Sequence, residues 1–206
     1  MCAVYRRAGV GGRVAAVTSG RAVTRGVIML LKSWRFVTII LTALSAGLSF
    51  AHLLELPPRV FYFDARLWVA TTTGGLYALF GTVGAVAEVG SILTAIVLAY
   101  FVRGRGAAFY LTLAGAILLA LAFASWLVFV APVNAELATW TVDSFPADWT
   151  RYRDQWEYAH AANAVIKLVA LSSLVLSVIV ETPSRSLART TESRAVTVAS
   201  PHTSSL

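Results

Sequence analysis

Residues 36–56 read FVTIILTALSAGLSFAHLLEL, and this run decides what kind of molecule the chain is. A helix crossing bilayer hydrocarbon needs about 20 predominantly apolar residues, and the run supplies them with no formal charge before Glu55. Pro57-Pro58 follows at once and is expected to end the helix, because proline removes a backbone donor and clashes with the preceding turn. A cleaved signal peptide is the competing reading. Its apolar core would be about 7–15 residues, shorter than this run, so the segment reads as an uncleaved anchor.

Further spans are expected at about 76–102, 107–131 and 159–180, the third ending at Pro132. The four spans predict an all-α, integral-membrane four-helix bundle over 29–183, with a structured outer loop between the third and fourth helices. Residues 59–75, RVFYFDARLWVATTTGG, are expected to be a connection that breaks at Gly74-Gly75. Its Tyr62 and Trp68 suit the headgroup level. Segments 1–28 and 184–206 carry no apolar period and are expected to lack regular structure. Met29 stands just before the first span and is an alternative start.

Composition agrees. Of 206 residues 58% are hydrophobic and only 13% charged, against about 25% charged in a typical soluble domain. The net charge of +7 is concentrated in Arg6, Arg7, Arg13, Arg21, Arg25, Lys32 and Arg35, a stretch without a single acid. A basic end beside a span marks the side retained in the cytoplasm. Arg103, Arg105, Arg185, Arg189 and Arg194 fall on that same side, whereas only Arg59, Arg66, Arg151 and Arg153 fall on the other. Both termini are therefore expected in the cytoplasm, with the lipid bilayer as partner. No aromatic or base-reading pattern accompanies the basic end, so nucleic acid is not expected. A lone cysteine, Cys2, excludes an intrachain disulfide, a redox pair and a thiolate metal cluster.

Polar residues inside spans are costly unless paired or wetted, and each is a candidate for function. On the first helix Thr42, Ser45, Ser49, His52 and Glu55 recur at helical spacing, one stripe running to the outer surface. On the fourth, His160, Asn163 and Lys167 form a second, and on the second helix Gly81, Gly84, Glu88 and Ser91 form a third. A bundle can turn all three inward. Glu88 and Lys167 then lie about 5 Å apart in depth at 1.5 Å per residue, which predicts an intramembrane ion pair. Each stripe also has a plainer reading: hydroxyls bonding back to their own helix, His52 and Glu55 wetted at the surface, and Lys167 snorkelling.

His52 and His160 with Glu55 admit two chemistries. They could hold a metal, or the histidines could ligate a haem from two helices; against a metal, the only other histidine is His202 in the tail. Equally, a histidine and a carboxylate could serve as general base and orienting partner without any cofactor. No nucleotide-binding or hydrolase motif occurs.

Residues 126–163 read WLVFVAPVNAELATWTVDSFPADWTRYRDQWEYAHAAN. Pro132, Asn134 and Leu137, a Pro-x-Asp-Trp turn, then Trp156 and His160 make an uncommon combination. With these anchors the chain resembles, over 36–181, the anthrone-oxygenase-like family of small four-span membrane proteins. It departs at Ala159, where the family often has Asn before His, and at Asn163, where it often has Arg. The resemblance implies oxidation of a hydrophobic phenolic or polycyclic substrate by molecular oxygen without metal or flavin. It further implies His160 as base, Asn134 as oxyanion donor, His52 with Glu55 as a supporting pair, and Trp140, Trp156 and Asn163 around the substrate. Two other readings stay open: a non-catalytic membrane protein binding a lipid-like ligand or partner, and a transport path through Glu88 and Lys167.

Overall fold

A computed structural model describes residues 10–182, with side chains from residue 25 onward. Helices α1 (Val10–Phe61), α3 (Ala78–Phe101), α4 (Ala107–Ser125) and α6 (Trp149–Ile179) carry the architecture; α2 (Ala65–Thr73) and α5 (Ala131–Leu137) are short. α1 packs against α3 and α6, and α4 packs against the same two, closing a four-helix ring. Among the described residues there is no strand, only an isolated bridge between Thr141 and Ser144. The fold is an all-α four-helix bundle with four helices long and apolar enough to cross a membrane.

The distribution of side chains inverts that of a water-soluble bundle. Leu79, Val86, Leu93 and Ile96 of α3 are each more than half exposed, while the same helix buries Ala87, Ser91 and Ala95. α4 likewise buries Ala108, Thr112, Gly115 and Ala116 and presents Tyr110, Ile117 and Leu121 outward. Lipid is as apolar as leucine, so helices in it gain little by hiding large side chains. They gain by close approach over small ones.

Four expected boundaries are corrected. α1 begins at Val10, so residues 10–28 are helical rather than irregular; this stretch has no proline to interrupt the helix. Residues 1–9 and the expected irregular tail lie outside the described residues. Pro57 and Pro58 sit inside α1 near its last turn. There the helix runs on because Arg59 is anchored in the core and the amides of Tyr62 and Phe63 both donate to Pro58 O. Residues 65–73 form α2, capped by the Asp64 carboxylate on the Leu67 amide at 2.8 Å and ended by Gly74 and Gly75, the latter at φ 86°. Trp68 is fully buried within the protein, whereas Tyr62 is exposed.

Pro132, finally, does not end the third crossing. A wider π-helical turn over Trp126–Val130 precedes it, in which the Ala131 amide reaches back to Trp126 O, and α5 continues to Leu137. A π turn inserts one residue into the ladder and so accommodates proline's missing donor. The Gln155 side chain donates to Phe129 O at 2.8 Å, satisfying a carbonyl of the disturbed turn from α6.

Candidate functional site

The inward faces of α1, α3 and α6 line a cavity of about 820 Å³ that also touches α5 and the segment joining it to α6. Its polar groups are arranged in tiers along the bundle.

At its inner end the Lys167 ammonium pairs with Glu88 Oε2 and donates to Ser49 Oγ at 3.0 Å, and Ser45 Oγ donates to the same Glu88 oxygen at 2.6 Å. The structure thus brings together residues from all three stripes. Two charges taken out of water need each other's field and further hydrogen bonds to be tolerable; here the two serines provide the latter. Glu88 Oε1 is buried with no partner among the described residues.

About two turns further out, His52 and His160 meet with ring centroids 4.3 Å apart. Trp156 lies 4.1 Å from the His160 ring and 5.1 Å from His52, and Tyr77 and Phe80 close the other side of His52 at 4.9 and 5.0 Å. His160 Nδ1 lies 2.8 Å from Trp156 O one turn earlier on its own helix. A carbonyl only accepts, so this contact requires the proton on Nδ1 and leaves the lone pair of the neutral ring on Nε2. Both histidines line the cavity.

Glu55 does not line it. Its carboxylate lies 3.9 Å from His52 Nδ1 and accepts a 2.5 Å hydrogen bond from the Tyr77 hydroxyl. Burial and then this bond push the Tyr77 phenol above its ordinary pKa, with Arg59 opposing, so the tyrosine remains a donor. Asn134 lines the cavity, its Oδ1 accepting from Trp156 Nε1 at 2.8 Å. That bond fixes the amide with its NH₂ as the group left to donate. Trp140 and Trp156 are on the wall; Asn163 is buried off it, its Oδ1 without a partner among the described residues. Among the described residues no group of three or more His, Cys, Asp or Glu is placed to hold a metal ion.

The outermost tier was not legible as a site. Arg59 is buried, its Nε donating to Glu157 Oε1 at 2.5 Å and its other nitrogens to Thr71 and Thr72 of α2 at 3.1 and 2.6 Å. Trp68 Nε1 donates to the same glutamate oxygen at 2.8 Å. The guanidinium lies within 6 Å of the Phe63, Trp68, Tyr77 and Trp156 rings, and Trp68 contacts Trp140, Trp149 and Trp156 in an aromatic cap. Extending the α6 stripe one turn back from His160 reaches Glu157, the one signal that could have found it. Tyr77, just after the double glycine, gave none.

The class these features define is a four-helix bundle with lipid-compatible flanks around an aromatic-capped, histidine-lined chamber. No protein-family model matches the sequence, and no curated protein or solved structure matches it either.

Proposed function

We propose that the chain is a multi-pass membrane oxidoreductase that oxidises a hydrophobic phenolic or polycyclic substrate with molecular oxygen, using side chains alone. The carrying observation is the pair of touching histidines on the wall of an 820 Å³ cavity, His160 with its Nδ1 proton committed to Trp156 O. Ligand chambers of a few hundred to about 1,000 Å³, mostly apolar with a few directed polar groups, suit flat, poorly soluble molecules.

In this reading His160 Nε2 removes a proton from a methylene activated by a neighbouring aromatic ketone, and the Asn134 NH₂ donates to the oxygen on which the enolate charge gathers. The carbanion adds to oxygen, and the imidazolium returns its proton to the peroxide. Loss of the second C–H proton then expels hydroxide, giving a ketone. One oxygen atom ends in the product and the other in water, with no further oxidant required. The aromatic cap keeps bulk water from the anion. The resemblance to anthrone oxygenases supports the same assignment.

Anthrone itself is a suitable probe. Purified protein in nanodiscs should consume one oxygen molecule per anthraquinone formed, and His160→Ala should lower that rate at least a hundredfold, within the range general-base catalysis contributes. Undiminished turnover by the variant would remove His160 from the chemistry, and turnover by neither protein would favour a ligand-binding role without catalysis.

The proposed setting is the cell membrane with both termini in the cytoplasm and the chamber toward the outer leaflet, as the arginine bias supports. A membrane-impermeant thiol reagent applied to intact cells should label cysteine placed at Tyr62 and spare one placed at Arg103 in a Cys2→Ser background; the reverse pattern would invert the topology.

A further inference from the structure

The end of the bundle opposite the chamber gathers positive charge with too little acid to balance it. Arg35 stands just before the apolar run that begins at Phe36 of α1, and Arg103 and Arg105 lie in the turn between α3 and α4. Glu181 lies two residues beyond the end of α6. All four stand at the ends of spans, where lipid headgroups begin. Arg35 Nη2 donates to Glu181 Oε2 at 2.5 Å, and Arg105 Nη1 reaches the same oxygen at 3.4 Å. One carboxylate oxygen thus draws together guanidinium groups from two different segments. Arg103 adds a third, laid over the Tyr100 ring at 4.0 Å, and Lys32 stands about one turn before Arg35. Neither of these pairs with a carboxylate among the described residues.

We propose that this end of the bundle binds the headgroup of an anionic phospholipid, with Arg103 and Arg105 supplying the donors to its phosphate. Their side chains are available for it: Arg105 is nearly half exposed, and Arg103 and Lys32 are exposed. A guanidinium matches phosphate oxygens with paired N–H donors and is always charged. Retention of this end in the cytoplasm would need only a number of basic residues. It would not need them drawn onto one carboxylate from separate segments, and basic pockets between helix ends are where anionic headgroups bind.

Packing keeps the cluster in place. The Trp34 indole, next to Arg35, donates to Thr94 O at 2.9 Å and meets the Phe101 ring edge-on, which fixes α1 against the end of α3. The surroundings select a lipid over a soluble anion. Tyr110 and Leu113 of α4 and Leu176 and Ile179 of α6 are exposed in the turns just beneath the cluster, and those two helices pack together. They offer acyl chains an apolar wall directly under the headgroup. A zwitterionic lipid brings its own cation to the arginines, whereas a net negative one does not. Each basic group at a membrane surface favours the anionic lipid by about fivefold. The site is separate from the chamber and does not depend on what the chamber binds.

Trp34 reports on this end, because the other tryptophans, Trp68, Trp126, Trp140, Trp149 and Trp156, lie toward the chamber. The full chain in phosphatidylcholine vesicles would be titrated with phosphatidylglycerol brominated high in its acyl chains, and separately with phosphatidylcholine brominated in the same way. Quenching that disappears in Trp34→Phe belongs to this site. Phosphatidylglycerol should occupy it about fivefold or more above its share of the bilayer, and the preference should weaken as salt screens the arginines. Arg103→Gln combined with Arg105→Gln, in an exposed turn where the fold is spared, should bring the preference close to onefold. Arg66→Gln combined with Arg151→Gln, exposed at the opposite end, should leave it unchanged, as should millimolar inorganic phosphate. Equal quenching by the two lipids, a preference that survives loss of Arg103 and Arg105, or one lost equally with Arg66 and Arg151 would overturn the proposal. Displacement by inorganic phosphate would overturn it too, by showing a site for a soluble anion.

Discussion

At the scale of single residues the molecule is organised by what hydrocarbon forbids. Glu88 and Lys167 sit on helices with no charge nearby except each other, so their energies are reciprocal: removing either leaves the other buried and unpaired. Glu88→Gln or Lys167→Met alone should each lower stability by about 3–5 kcal/mol, the range for orphaning a buried charge, while the double change should cost less than either. Unfolding in mixed micelles followed by tryptophan fluorescence would show it, and simple additivity would mean that the two side chains do not depend on each other. His52, His160, Glu88 and Lys167 could be nominated from spacing alone because each breaks an apolar run. Arg59 could not, and Glu157 only by carrying the α6 stripe one turn back from His160. They lie where the sequence is already polar, and only the fold shows that both are buried and that the arginine satisfies α1, α2 and α6 together.

At the scale of helices, the decisive property is how closely two of them approach. α4 and α6 meet at Gly115, where an added Cβ would come within 2.8 Å of Leu174 Cγ and 3.2 Å of Ala170 O. The leucine is wholly buried and cannot swing away. Gly115→Ala should therefore destabilise by about 1–3 kcal/mol, the usual cost of overpacking, whereas Gly81→Ala, which meets nothing within 4 Å, should raise helix propensity without penalty. A Gly115→Ala protein as stable as wild type would show that these helices are not in register here. Helix number and order were legible because runs of apolar residues long enough to span a bilayer have few alternatives. Their ends were not. Proline is a reliable stop only where nothing else repairs the ladder, and here Arg59 anchors one pair of prolines while the turn over Trp126–Val130 and Gln155 accommodate the third.

On the scale of the whole molecule, large apolar side chains face outward, small ones let the helices close, and the polar faces of α1, α3 and α6 share one chamber under a tryptophan cap. The convergence of three stripes was predictable because a bundle offers polar groups only one shelter. The Glu88–Lys167 pair was predictable too, from depth counted along the helices, whereas the contact between the two imidazoles above it depended on side-chain reach that spacing does not encode. Nor did spacing separate Asn163, which is buried off the chamber, from His160 three residues earlier, which lines it.

The account depends most on His52 and His160 touching each other on the wall of a chamber that a ligand can occupy. Cysteines at these two positions, in a Cys2→Ser background, should be joined by a short bis-maleimide in the folded, membrane-embedded protein, and prior addition of 2-hydroxyanthracene should slow the reaction. The outward-facing pair Phe50 and Val165 should not be joined under the same conditions. Equal cross-linking of the two pairs, or none between positions 52 and 160, would contradict the shared chamber.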